Sequence, residues 1–175
     1  MADILAIGLA ASIDWTFSDA LDLSTISDNA KLAFSLDLAD GTGDNQVDKI
    51  WHDKRTIAIA ADDDIDLRGT GANMTHSIFG GTVTIELAKV KAILIKNLST
   101  VSGEDLTIGG HPTQDFSAPF GASGDKIKLG AGGALLLTQP VDGWTVTDGT
   151  SDTLRIHNDG AASVNYDIVI AGVGV

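Results

Sequence analysis

The chain of 175 residues has no cysteine, which excludes disulfides and cysteine-ligated zinc and leaves the redox compartment unmarked. It is short of positive charge: 11 Lys and Arg stand against 24 Asp and Glu, a formal net of −13. A field of that sign repels phosphate backbones and argues against nucleic acid as a partner. The charge is uneven, with 15 acids and 5 bases in residues 1–88 and 9 acids and 6 bases in residues 89–175. The front half is the better place for a basic partner or a cation, although acidic side chains also serve simply to keep a β protein soluble. No apolar run approaches the ~20 residues of a membrane-spanning helix, so no membrane partner is expected. Ile4–Ala11 is apolar, but it is short and no basic residue precedes it, which makes a poor signal peptide. The expectation is a protein that does not cross a membrane by the general secretory route. The glycosylation patterns at Asn73-Met74-Thr75 and Asn97-Leu98-Ser99 therefore carry no weight.

Proline is scarce, at 3, and long helical patterns are missing; glycine is plentiful, at 20. Together with abundant Thr, Val and Ile this composition suits short strands joined by glycine turns. Alternation with a period of two marks the strands. Ile13, Trp15 and Phe17 share one face of Ser12–Phe17. In Lys31–Leu38, Leu32, Phe34, Leu36 and Leu38 alternate with Lys31, Ala33, Ser35 and Asp37. At the far end Val164, Tyr166, Ile168 and Ile170 alternate with Ser163, Asn165, Asp167 and Val169. Between these lie Arg55–Ala60, with Ile57 and Ile59 inward, then Thr82–Leu87, with Val83, Ile85 and Leu87 on one face. Val90–Lys96 is dense enough for a central strand covered on both faces. Leu106–Ile108, Ile127–Leu129, Leu135–Thr138, Trp144–Val146 and Leu154–Ile156 follow. Ile78-Phe79-Gly80-Gly81-Thr82-Val83 reads as a hairpin whose two glycines both take φ > 0. Asp40–Asn45 reads as a loop, and Ala61-Asp62-Asp63-Asp64 as the end of a strand, with Ile65–Leu67 opening another.

Roughly ten strands at such spacings predict an all-β fold, a two-sheet antiparallel β-sandwich of jelly-roll-like form. Residues 1–175 make one domain, with residues 1–11 as either an extended N-terminal arm or a buried first strand. Trp15, Phe34, Trp51, Phe79, Trp144 and Tyr166 are the expected aromatic core. The terminal Ala171-Gly172-Val173-Gly174-Val175 either closes its own sheet or packs on a neighbouring subunit.

Catalytic motifs are missing. No Gly-x-Ser-x-Gly elbow occurs, and Gly130-Ala131-Gly132-Gly133 lacks the Lys-Ser/Thr of a phosphate loop. His52, His76, His111 and His157 stand at no metal-ligand spacing. His52 and Asp53 are neighbours on a strand and point to opposite faces. Two loops offer oxygen to calcium: Asp62-Asp63-Asp64 with Asp66, and Asp40, Thr42, Asp44 and Asp48. Neither has EF-hand spacing, and solvated turns, with Asp and Asn bonding their own backbone, are the default reading of both. The sequence assigns no catalytic residue, no cofactor and no cofactor-binding residue, and leaves the metal question open.

Several segments carry a family likeness. They are Asp48–Ile57 (DKIWHDKRTI), Val90–Asn97 (VKAILIKN), Leu106–Gly110 (LTIGG), Gly143–Val146 (GWTV), Asp152–Ile156 (DTLRI) and the Tyr166–Gly172 strand. In this order, residues 47–175 resemble a group of small structural proteins from tailed bacteriophage particles. The resemblance implies a non-enzymatic virion component with a β-sandwich or jelly-roll fold, most like a capsid decoration (cement) protein. It implies the major capsid protein as partner, a homo-oligomer (trimer or dimer), and a place on the capsid surface after synthesis in the host cytoplasm. A tail or baseplate protein, including a carbohydrate-binding receptor module with Trp144 as its platform, is the alternative. No active-site motif comes with the likeness.

Overall fold

The computed structural model describes residues 5–20, 24–78 and 81–175. All regular structure among them is β: β1 (Ile7–Ala20), β2 (Thr25–Asp40), β3 (Gln46–Val47), β4 (Lys49–Ile57), β5 (Asp62–Asp66), β6 (Thr75–Ile78), β7 (Gly81–Thr84), β8 (Leu87–Asn97), β9 (Leu106–Gly109), β10 (Lys126–Leu129), β11 (Ala134–Thr138), β12 (Trp144–Thr145), β13 (Thr153–Asn158) and β14 (Val164–Gly174). The fold is all-β, built from several mainly antiparallel sheets.

Two sheets supply the main core. One runs β11-β8-β14-β4, with β12 pairing β8; the other runs β10-β9-β13-β5. Alternation sends Trp51 and Ile57 of β4, Ile93 and Ile95 of β8, and Tyr166, Ile168 and Ile170 of β14 inward. They join Ile65, Leu106, Ile108, Leu154 and Ile156 of the second sheet in one buried cluster. The pairing is nested: β4 with β14, β5 with β13, β8 with β11, and β9 with β10. A polar link also joins the two sheets. Asp63 accepts two hydrogen bonds from Arg55, at 2.7 and 2.9 Å, and one from the buried Tyr166 hydroxyl at 2.8 Å.

The N-terminal hairpin stands apart from this core. β1 pairs with β2 over its whole length, from Ile7 opposite Leu38 to Ala20 opposite Thr25. Among the described residues of the hairpin only the root is buried: Leu38 and Val47 pack with Ala92 and Ala171 on the outer face of the five-stranded sheet, flanked by Ile7, Leu9, Leu36 and Ile50. Lys91 is buried here, and its ammonium donates to the Gly43 carbonyl, tying the loop after β2 to β8. Burial pushes the Lys91 pKa down. Beyond the root, Trp15 and Phe34 are 44% exposed, so these two are not core residues. Their alternation is that of a two-stranded ribbon with nothing packed over it among the described residues. The arm thus reaches far past Ala11 and pairs within its own chain.

Other expectations shift in register. β4 stops at Ile57, Ala60 takes φ 51°, and Ile59 is exposed rather than inward. Asp62–Asp66 is a strand, not the end of one. Val83 is exposed while Leu87 is buried. β8 is central between β11 and β14, but Leu94 is partly open to solvent. β6 and β7 pair with Ile78 opposite Gly81, so Gly81 belongs to the strand; Phe79 and Gly80 lie outside the described residues. The C-terminal run closes its own sheet, with β14 paired to β4 and β8 and Ala171 and Val173 buried.

Candidate functional site

The outward face of the β10-β9-β13-β5 sheet carries a polar groove of about 470 Å³. Register builds it. Thr107 stands opposite His157, and His157 opposite Asp62, so the three form one row across the sheet. One step along, Arg155 stands opposite Asp64. Inward Leu154, Ile156 and Asn158 anchor β13 in the core, which fixes Arg155 and His157 outward. Gly109 and Gly110 close one end with φ of 98° and 76°. A side chain on Gly110 would collide with Lys126, which lies across it. Buried Asp115 holds this turn by accepting from the Gly110, His111 and Gly124 amides at 3.1, 3.3 and 2.7 Å.

Arg155, His157 and the carboxylates of the groove are paired. Arg155 makes a bidentate contact with Asp64, at 2.7 and 2.8 Å, and its third nitrogen lies 2.9 Å from Asp62. Hydrogen bonding to Asp64 raises the Arg155 pKa further. His157 sits between two carboxylates, with Nδ1 2.7 Å from Asp62 and Nε2 3.6 Å from Asp159. The Thr107 hydroxyl donates to Asp159. Asp159 therefore stands between Thr107 and His157, and the base does not touch the hydroxyl as a nucleophile–base pair requires. A wall of alternating donors and acceptors suits polar or hydroxyl-rich ligands. Among the described residues no Trp, Tyr or Phe lines it.

Both calcium candidates resolve differently from a chelating loop. Asp62 and Asp64 point outward to Arg155, while Asp63 points inward to Arg55 and Tyr166. In the other loop, Asp40 accepts from the Leu5 amide and Asp48 from the Gly174 amide. Among the described residues no group of three or more His, Asp or Glu is arranged to hold a metal ion. Asp66 faces Glu86, Asp148 and Asp152. Burial raises its pKa, the hydrogen bond from the Arg68 amide opposes that, and the three neighbouring carboxylates add to the rise.

The histidines separate into two places. His52 and His76 are ring neighbours, with centroids 5.1 Å apart. His111 accepts from the Gln114 amide at 2.9 Å, and its other nitrogen lies 3.7 Å from Asp64, beside the groove. Trp144 packs, half-buried, against the main core and lies outside the groove lining. Sequence reasoning missed the set Asp62, Asp64, Arg155, His157 and Asp159. The available signal was a strand with alternating bases, Arg155 and His157, and another with alternating acids, Asp62 and Asp64. Comparison with protein-family models, with curated proteins and with solved structures finds no match for this chain.

Proposed function

We propose that this chain is a non-enzymatic structural protein of a tailed-phage virion, a capsid decoration protein with a jelly-roll-like β-sandwich body that docks on the major capsid protein as a homo-oligomer. The observation that carries the reading is the arm. A β-ribbon that leaves Ile13, Phe17 and Leu32 about two-thirds exposed is an assembly element, since soluble monomers rarely leave such a surface uncovered. The resemblance of residues 47–175 to phage structural proteins gives the assembly its kind. The jelly-roll form is supported by the nested pairs, which run first with last and second with next-to-last, as when a long hairpin is rolled into two facing sheets. Immunogold labelling of particles from the phage that encodes the chain tests the reading. Gold over the heads is expected; particles without label overturn it.

One observation favours a second reading, a tail-tip or receptor-binding module. The polar groove offers Arg155, Lys126, His157, Asp62 and Asp159 to a hydroxyl-rich ligand. Gold at the tail, with glycan binding that disappears in Arg155→Ala, would select it.

A further inference from the structure

We infer that the apolar face of the N-terminal arm packs against the same face of a second copy of this chain. The inference rests on the homo-oligomer reading above and gives it a surface; it does not depend on where on a particle the protein sits. Register sorts the arm's side chains cleanly. Leu9, Ile13, Trp15 and Phe17 of β1 share a face with Leu36, Phe34 and Leu32 of β2. The opposite face carries Asp14, Lys31 and Asp37, the first two joined in an ion pair at 3.5 Å. Asp28, opposite Phe17, stands on the apolar side, and the Trp15 indole donates to it at 3.5 Å across the ribbon; by register Asp19 at the tip and Asp40 at the root fall on the same side.

Charge and area point to a second copy. A chain of net −13 meets its own kind with least repulsion where its surface is uncharged, and the middle of this face, Leu9 to Trp15 opposite Leu36 to Ala30, is such a stretch. Ile13, Phe17 and Leu32 are 68–69% exposed and Trp15 and Phe34 44%. With side chains of this size the exposed area is on the order of 500 Å² per copy. Two copies face to face would bury about 1,000 Å² in all, which reaches the lower bound of a specific interface. A ribbon with one apolar face is covered by one other such face, so the contact is isologous and twofold. A two-stranded ribbon is also marginal alone, and a covering layer supplies the packing it lacks.

Sedimentation equilibrium of the full chain from about 1 to 100 μM tests this, beside a Phe17→Ser/Leu32→Ser variant. A reversible dimer is expected, with its dissociation constant raised ~30-fold or more in the variant, as for loss of central anchors. The thermal melt of the body is expected to stay intact, because neither residue belongs to either buried cluster. Trp51 is buried and Trp144 half-buried, so Trp15 reports the contact: its emission is expected to shift to the red on dilution. A wild-type monomer across the range, an oligomer unchanged by the double substitution, or a trimer each overturns the twofold arm contact. An unchanged oligomer leaves the homo-oligomer reading standing, whereas a monomer removes both.

Discussion

Asn158 gives the sharpest test of how the body holds its groove. Its side chain is fully buried at the end of β13. Its amide nitrogen donates to the carbonyls of Ile57, Ala58 and Ala162 at 3.2, 3.0 and 2.8 Å, and its oxygen accepts from the Gly160 amide at 2.8 Å. One side chain thus ties the end of β4 to the turn that carries Asp159. Asn158→Ala removes these bonds and strands buried partners. At about 1 kcal/mol net per bond, with a penalty for groups left unsatisfied, the loss is about 3 kcal/mol. That is a large share of the ~5–15 kcal/mol that holds a typical domain. Asn158→Asp keeps the shape but turns a second carboxylate oxygen toward three carbonyl oxygens. Burial and these acceptors raise the folded-state pKa of the new acid above its unfolded value near ~3.9. Its protonated form can donate to one carbonyl, so the deficit is smallest below the unfolded pKa and grows as pH rises through the folded one. Urea denaturation of both variants and the wild type at pH 7 and pH 4 reads this directly. With a slope of about 2 kcal/mol/M, Asn158→Ala moves the midpoint down by about 1.5 M at both pH values. Asn158→Asp falls at least as far at pH 7 and recovers part of the loss at pH 4. An Asp variant that matches wild type at pH 7, or whose deficit ignores pH, would refute the hydrogen-bond assignment.

Three further outcomes are expected. Gly172 sits at a register shift in β14, where a Cβ would run into the Lys89 carbonyl, so Gly172→Ala is expected to cost about 1–3 kcal/mol, read as a lower melting temperature. Tyr166 is the single tyrosine, and burial, followed by the charge of Asp63, pushes its pKa far up. A raised pKa gives stability that is present below the unfolded value of about 10 and lost as pH rises beyond it. Phenolate absorbance is therefore expected to appear only with unfolding, and Tyr166→Phe to lose that alkaline sensitivity; ionisation in the folded state would contradict the burial. Asp66 is also raised, so its charge opposes folding at neutral pH. Asp66→Asn is expected to melt higher than wild type at pH 7, with the difference closing near pH 3, where Asp66 is protonated in both states.

Reading strands from alternation succeeds where the alternating face is the buried one. Val164, Tyr166, Ile168 and Ile170 lie inward because an antiparallel strand with one wet face must be written that way. The same rule misplaces Trp15 and Phe34. Alternation reports which side chains share a face, but not whether anything covers it, and here a free ribbon leaves the face open. Asp62–Asp66 fails in the other direction. A run of carboxylates has low strand propensity and favours turns. The charges are answered by Arg55 across a turn of 8 residues and by Arg155 from 91 away, a partner that no local window contains. With both faces of the strand paired to guanidinium groups, the ladder to β13 wins over the turn.

By itself the sequence determined an all-β chain, its strand faces, its acidity and its missing cysteine chemistry, because those are properties of composition and of a two-residue period. The groove could not be read that way. His157, Asp62 and Thr107 come into one row only through the register of three strands distant in the chain. Tertiary structure alone decided that row, the inward turn of Asp63 and the exposure of the arm, because each depends on which surfaces meet and which find no partner.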